Sequence, residues 1–142
     1  MTMDVQRATL ISGMGRNDTI HAGFLMGGGW MGSLGHWAVI PAAAELALIV
    51  VDGYVDLDPA GLAGLGAHVR AEYGVPVIGV AKTAFRTATH AAAVFRGQSR
   101  RPLYVTAAGI SVTEAAAVVS EMAGRFRLPD AVKLADRLAR GA

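Results

Sequence analysis

The stretch LALIVVDG, residues 46–53, is an unbroken apolar run that stops at an aspartate and a glycine. A run this short and this rich in Leu, Ile and Val reads as a strand covered on both faces. Asp52 therefore stands at the carboxyl end of a buried strand. Downstream, DPAGLAGLGAHVRAEYG (58–74) reads as a helix with Asp58 as its N-cap, Pro59 in its first turn and Gly74 as its stop. VPVIGVAK (75–82) then repeats the buried-strand pattern and ends on Lys82. Strand, helix and strand make a βαβ unit, with its two strands parallel and adjacent. The fold class is α/β.

On the carboxyl side, RPLYVTAAG (101–109) reads as a further strand. SVTEAAAVVSEMAGRF (111–126) is a helix that opens with Ser111 and Glu114 in capping-box spacing, and DAVKLADRLAR (130–140) is a final amphipathic helix. Between them and Lys82, TAFRTATHAAAVFRGQS (83–99) supports two readings: helix from its alanines, extended chain from its Thr, Val and Phe. On the amino side, ATLIS (8–12) and TIHAGFLM (19–26) flank the turn-forming GMGRND, as in an antiparallel hairpin. GGGWMGSLGHW (27–37) reads first as a loop; a phosphate-approaching loop and a self-association surface are the alternatives.

The whole, 142 residues with 53% apolar content, suits one domain with its own core: 1–45 carrying the hairpin and Gly-rich segment, 46–142 the α/β part. Thirteen basic against eleven acidic residues permit a polyanionic partner without demanding one. The chain has no cysteine, which excludes disulfides, thiolate-bound zinc and a thiol nucleophile, and it fits a reducing cytoplasm. The opening MTMDVQRATL lacks the plan of a secretory signal, and no apolar run is long enough to span a bilayer. The expectation is a cytoplasmic protein with no membrane partner.

Open α/β sheets place ligands beyond the carboxyl ends of their strands, where Asp52 and Lys82 both stand. A carboxylate there can ligate Mg²⁺ or act as a base, and an ammonium can contact a phosphate. A plain strand-end ion pair is the competing reading. Arg86, His90, Arg96, Arg100 and Arg101 follow in and around the ambiguous segment and suit phosphate binding as well as a solvated basic face. Asp56 and Asp58 read as loop and cap rather than metal ligands. His21, His36 and His90 are the candidates for an additional metal ligand, although a lone histidine reads first as a surface or packed residue.

These residues resemble the endonuclease V family, metal-dependent nucleases of RNase H-like fold that cleave near deaminated purines in nucleic acid. The likeness runs from about Leu46 to Arg140 through VVDG (50–53), GLGAHV (64–69), PVIGVAK (76–82), RPLYVTAAGIS (101–111) and RFRLPDAVKLADRLAR (125–140). It implies a mixed sheet with flanking helices, DNA-repair chemistry, Asp52 as a Mg²⁺ ligand, and Lys82 beside the substrate backbone. His68 falls on the histidine of the family's helix motif, although a packed helical histidine is the better reading.

Three departures limit what the resemblance carries. The turn that should hold a histidine reads AAGIS (107–111); no glutamate stands in an R-E-G-P setting, Glu45 having other neighbours; and Asp4 imitates the first-strand aspartate for only two residues. About 40 residues precede LALIVV where three antiparallel strands are expected, so those strands are expected shortened or partly missing. A homodimer along the resulting edge, or through Trp30 and Trp37, follows as an expectation. Three functions remain open: a divergent nuclease with an incomplete Mg²⁺ site, a nucleic-acid-binding module without hydrolysis, and a small-molecule enzyme using Asp52 and Lys82 as a metal-free pair.

Overall fold

The computed structural model describes the backbone of residues 6–12, 19–26, 29–32, 37–39 and 46–140, and side chains from 48 to 134 and at 137. Among the described residues there are eight strands: β1 (Gln6–Ser12), β2 (Thr19–Met26), β3 (Gly29–Gly32), β4 (Trp37–Val39), β5 (Leu46–Asp52), β6 (Val77–Ala81), β7 (Ala92–Val94) and β8 (Leu103–Ala108). Three helices accompany them: α1 (Leu65–Tyr73), α2 (Val112–Glu121) and α3 (Asp130–Arg140). The strands form one mixed sheet in the order β4-β3-β2-β1-β5-β6-β8-β7. Strands β5 and β6 are parallel, as the βαβ reading requires, and every other neighbouring pair is antiparallel.

Alternation along the central strands sorts the core into two layers. Ile49, Val51 and Val77 face one way and pack with Val69 of α1. Val50, Ile78, Val80, Leu103 and Val105 face the other way, against Ala115 and Val119 of α2 and Val132 of α3. A strand buried on both sides cannot alternate polar with apolar, which is why LALIVV reads as a continuous run. The hairpin of β1 and β2 and the span of α3 agree with their sequence readings. Ser111 accepts a hydrogen bond from the Glu114 amide, so the α2 cap forms as expected.

Three readings are settled by the structure. Four strands precede β5, where three, shortened or partly missing, are expected, because the Gly-rich segment is drawn into the sheet as β3 and β4, paired through backbone groups that glycine supplies as well as any residue. The segment with two readings follows its extended one in part: residues 83–91 form turns, and 92–94 pair with β8 as a strand.

The third concerns α1, where the expectation is corrected. It begins at Leu65, not Pro59, and Asp58 caps a tight turn through the Leu62 amide (3.0 Å) instead of the helix. The first helical amides are satisfied by main chain: Gly64 and Ala67 donate to the Val55 carbonyl and Gly66 to the Tyr54 carbonyl. Segment 54–55 approaches so closely that a Cβ at Gly66 would lie 2.8 Å from the Val55 side chain. On its other side the chain just after Asp52 crosses β6 at Gly79, where a Cβ would lie 2.5 Å from both the Gly53 carbonyl and Thr106 Oγ1. Thr106 Oγ1 in turn accepts the Val55 amide at 2.8 Å.

This crossing sets the exit of the chain from β5. Gly79→Ala is expected to destabilise by about 3 kcal/mol through overpacking, and Thr106→Val by about 1–3 kcal/mol through the stranded Val55 amide. Urea unfolding of both variants checks the pair.

Candidate functional site

Asp52 is the last residue of β5 and is in register with Val80 of β6. Val50 and Asp52 share one face of β5, and Ile78, Val80 and Lys82 share the same face of the neighbouring chain, because side chains alternate with period two. The parallel pairing thus brings an acid and an amine to one corner. Lys82 Nζ lies 3.2 Å from Asp52 Oδ2, with the aspartate side chain 10% exposed and the lysine 33%.

Beyond this pair opens a cleft of about 280 Å³, lined among others by Lys82, Arg100, Arg101, Tyr104 and Arg127. The antiparallel return of β8 places the arginines there. Ala81 is paired with Tyr104, so the residues that lead into β8 arrive beside the end of β6. Of the residues named from the sequence, the fold therefore gathers Lys82, Arg100 and Arg101 in one cleft, with Asp52 against the lysine.

Others fall elsewhere. Arg86 is exposed on the turn region after Lys82. The His90 ring nitrogens are shielded from solvent with no hydrogen-bond partner. His68 lies exposed on α1, neither packed nor at the corner. Asp56 sits in an isolated bridge with Ala63, and Asp58 holds its turn. The backbone of His21 belongs to β2, and those of Trp30 and Trp37 to β3 and β4; their side chains, and Asp4, His36 and Glu45 altogether, lie outside the described residues.

Arg96 is no phosphate ligand. It is 5% exposed, and its guanidinium donates to the carbonyls of Met122 (2.6 Å), Gly124 (2.8 Å) and Arg127 (3.3 Å). Burial pushes its pKa below the usual guanidinium value, partly offset by Asp130. Arg127, which sequence reasoning missed as an individual residue, continues this frame. It donates to the carbonyls of Lys82 and Pro102, the latter at 2.9 Å, tying the end of β6 to the start of β8. Nothing in RFRLP distinguishes a bracing arginine from a solvated one.

Tyr54 was also unforeseen. Its hydroxyl donates to the Thr83 carbonyl (2.8 Å) and accepts the Phe85 amide (3.0 Å), fixing the chain just after Lys82. Burial raises its pKa above the ordinary phenol value of 10.0; the Phe85 amide opposes that shift and Tyr104 adds to it.

A divalent ion does not fit the donor set of the described residues. Mg²⁺ seeks near-octahedral oxygen ligation, whereas Asp52 is engaged by Lys82 and no group of three His, Asp or Glu side chains is gathered among the described residues.

No family model matches the chain, and no solved structure matches it. Among curated proteins it is similar to the endonuclease V of Azotobacter vinelandii, 35% identical over 127 residues that take in 72% of this chain. The chain spans 57% of the length of that relative. Among the described residues no helix is long and apolar enough to cross a membrane.

Arg96→Ala is expected to lower stability by about 2–4 kcal/mol, since three carbonyls lose one rigid donor, while Arg101→Ala stays within about 0.5 kcal/mol; urea unfolding separates frame from cleft. For Tyr54 the raised folded pKa means stability that is full below pH 10.0 and is lost as pH rises through the folded value. Tyr54→Phe should cost about 1–2 kcal/mol at neutral pH, and its deficit relative to the unmodified protein should shrink above that pH, as measured by unfolding at stepped alkaline pH.

Proposed function

We propose that this chain is an endonuclease V-like domain that engages nucleic acid and acts on its phosphodiester bonds. The observation that carries the reading is the Asp52–Lys82 pair opening onto a cleft lined by Arg100 and Arg101. Clustered guanidinium and ammonium groups at a sheet edge complement a phosphate backbone. Similarity to a protein named endonuclease V supports the same class.

Within that class, we assign an RNase H-like sheet, a single domain over 1–142 and a cytoplasmic repair role on inosine-containing strands. Support for the sheet comes from the antiparallel β1-β2-β3 meander beside the β5-α1-β6 unit. Asp52 is the group through which hydrolysis would run, as base or as ligand. The donors among the described residues do not complete a Mg²⁺ site.

The engagement of Asp52 by Lys82 favours a second reading, in which the domain binds nucleic acid without cutting it. One experiment addresses both. A labelled inosine-containing oligonucleotide should bind with an affinity that falls steeply between about 50 and 200 mM salt, and Arg100→Ala or Arg101→Ala should flatten the logarithmic slope by about 0.7–0.9 each. Added Mg²⁺ should give nicking that Asp52→Ala abolishes if the domain is a nuclease. Binding that survives Asp52→Ala with no nicking by the unmodified protein selects the second reading. No binding at low salt overturns both.

A further inference from the structure

Tyr104 lines the arginine cleft and is half-buried there. Its ring packs against the cluster of Tyr54, Ala81 and Ala88, and its pairing with Ala81 fixes its backbone beside the end of β6. A tyrosine packed in this way usually finds a hydrogen-bond partner for its hydroxyl. Among the described residues the Tyr104 hydroxyl has none. It is not shut away from water either, since the side-chain polar atoms that are buried without a partner among the described residues belong to His90.

Arg127 lines the same cleft and is half-buried as well. A guanidinium carries five N–H donors. Nε donates to the Pro102 carbonyl at 3.3 Å, and Nη2 donates both to that carbonyl, at 2.9 Å, and to the carbonyl of Lys82. Nη1 has no partner among the described residues and, like the Tyr104 hydroxyl, is not shut away from water. The guanidinium plane is thus locked to main chain on one side while two donors on the other are unspent. Pro102 precedes Tyr104 by two residues, so at most about 7 Å of extended chain separates the Cα of the residue that anchors Arg127 from that of Tyr104. Arg100 and Arg101 are exposed, and long exposed side chains lose rotamer freedom when they bind. Arg127 has lost that freedom on folding.

We propose that Tyr104 Oη and Arg127 Nη1 form a fixed seat for one phosphate of the strand, and so set which bond of that strand comes to the Asp52–Lys82 corner. The proposal rests on the nucleic-acid reading above and adds register to it. Arg100 and Arg101 supply attraction that any phosphate satisfies, whereas two donors held in fixed directions select one phosphate position. A phenol contributes a hydrogen bond without a charge, which separates its effect from general electrostatic binding.

The test uses anisotropy titration of the labelled inosine-containing oligonucleotide and of a series in which one phosphate at a time is a methylphosphonate, which lacks the charge and one acceptor oxygen. One position should stand out, with binding weakened by roughly 10- to 100-fold. Tyr104→Phe should weaken binding of the unsubstituted strand by roughly 10-fold, leave the salt slope unchanged, and remove most of the excess penalty at that one position. Arg127→Lys, which keeps the charge and loses the planar fork, should also remove it, with thermal unfolding to show that the fold is retained. Should Arg127→Lys not fold, Tyr104→Phe, which deletes a single hydroxyl, decides alone. The seat is overturned if no methylphosphonate position stands out, or if Tyr104→Phe or a folded Arg127→Lys leaves the penalty at that position intact, while salt-sensitive binding that Arg101→Ala weakens keeps the nucleic-acid reading standing. If the unmodified protein binds no strand of the series at low salt, the seat falls together with that reading.

Discussion

The site depends on the crossing of residues 53–55 over β6 at Gly79. Gly53 continues the sheet by donating to the Val80 carbonyl at 2.9 Å, and the chain then leaves the plane over the one position of β6 that has no side chain. Thr106 Oγ1 holds the Val55 amide from below, while the first amides of α1 hold the Tyr54 and Val55 carbonyls from above. Every polar backbone group named here is paired, which is what permits two residues of loop to be buried between a helix and a sheet. Asp52 precedes this clamp directly and Tyr54 lies inside it, so one constraint orients both the carboxylate and the phenol that steadies the chain after Lys82.

Positive charge around the cleft divides into two kinds. Arg96 and Arg127 spend their donors on main-chain carbonyls, joining the connection between α2 and α3 to the ends of β6 and β8. A planar fork with fixed donor directions suits that task, and a lysine would satisfy fewer of the same acceptors. Arg100 and Arg101 are exposed and line the open side. Sequence alone offers four arginines between residues 86 and 101 as equivalents; burial separates Arg96 from the rest.

Much of this was legible in the chain because it depends on period and on strand ends. LALIVVDG and VPVIGVAK sit side by side and parallel, with Asp52 and Lys82 in contact, since a two-residue period and one register suffice to place them. Asp58 misled because Asp-Pro is a strong local start signal, yet the helix amides found main-chain acceptors that only tertiary packing provides. Thr106, Tyr54 and Arg127 were silent for the same reason: each acts on a segment between 25 and 51 residues away, and no local pattern encodes such a partner. The antiparallel direction of β8 was equally unreadable, though it alone brings Arg100 and Arg101 to Lys82.

The balance of charge at the corner argues for a division of labour. Asp52 is largely withdrawn from water, so its ionised form needs a nearby cation, and Lys82 at 3.2 Å meets that need. A phosphate drawn to the same ammonium would leave two anions sharing one cation, with repulsion that strengthens as water is displaced. On the proposed nucleic-acid reading, Arg100 and Arg101 relieve this conflict by offering a phosphate guanidinium groups that Asp52 does not occupy. Lys82 then stays with the carboxylate while the arginines that line the same cleft take up the polyanion.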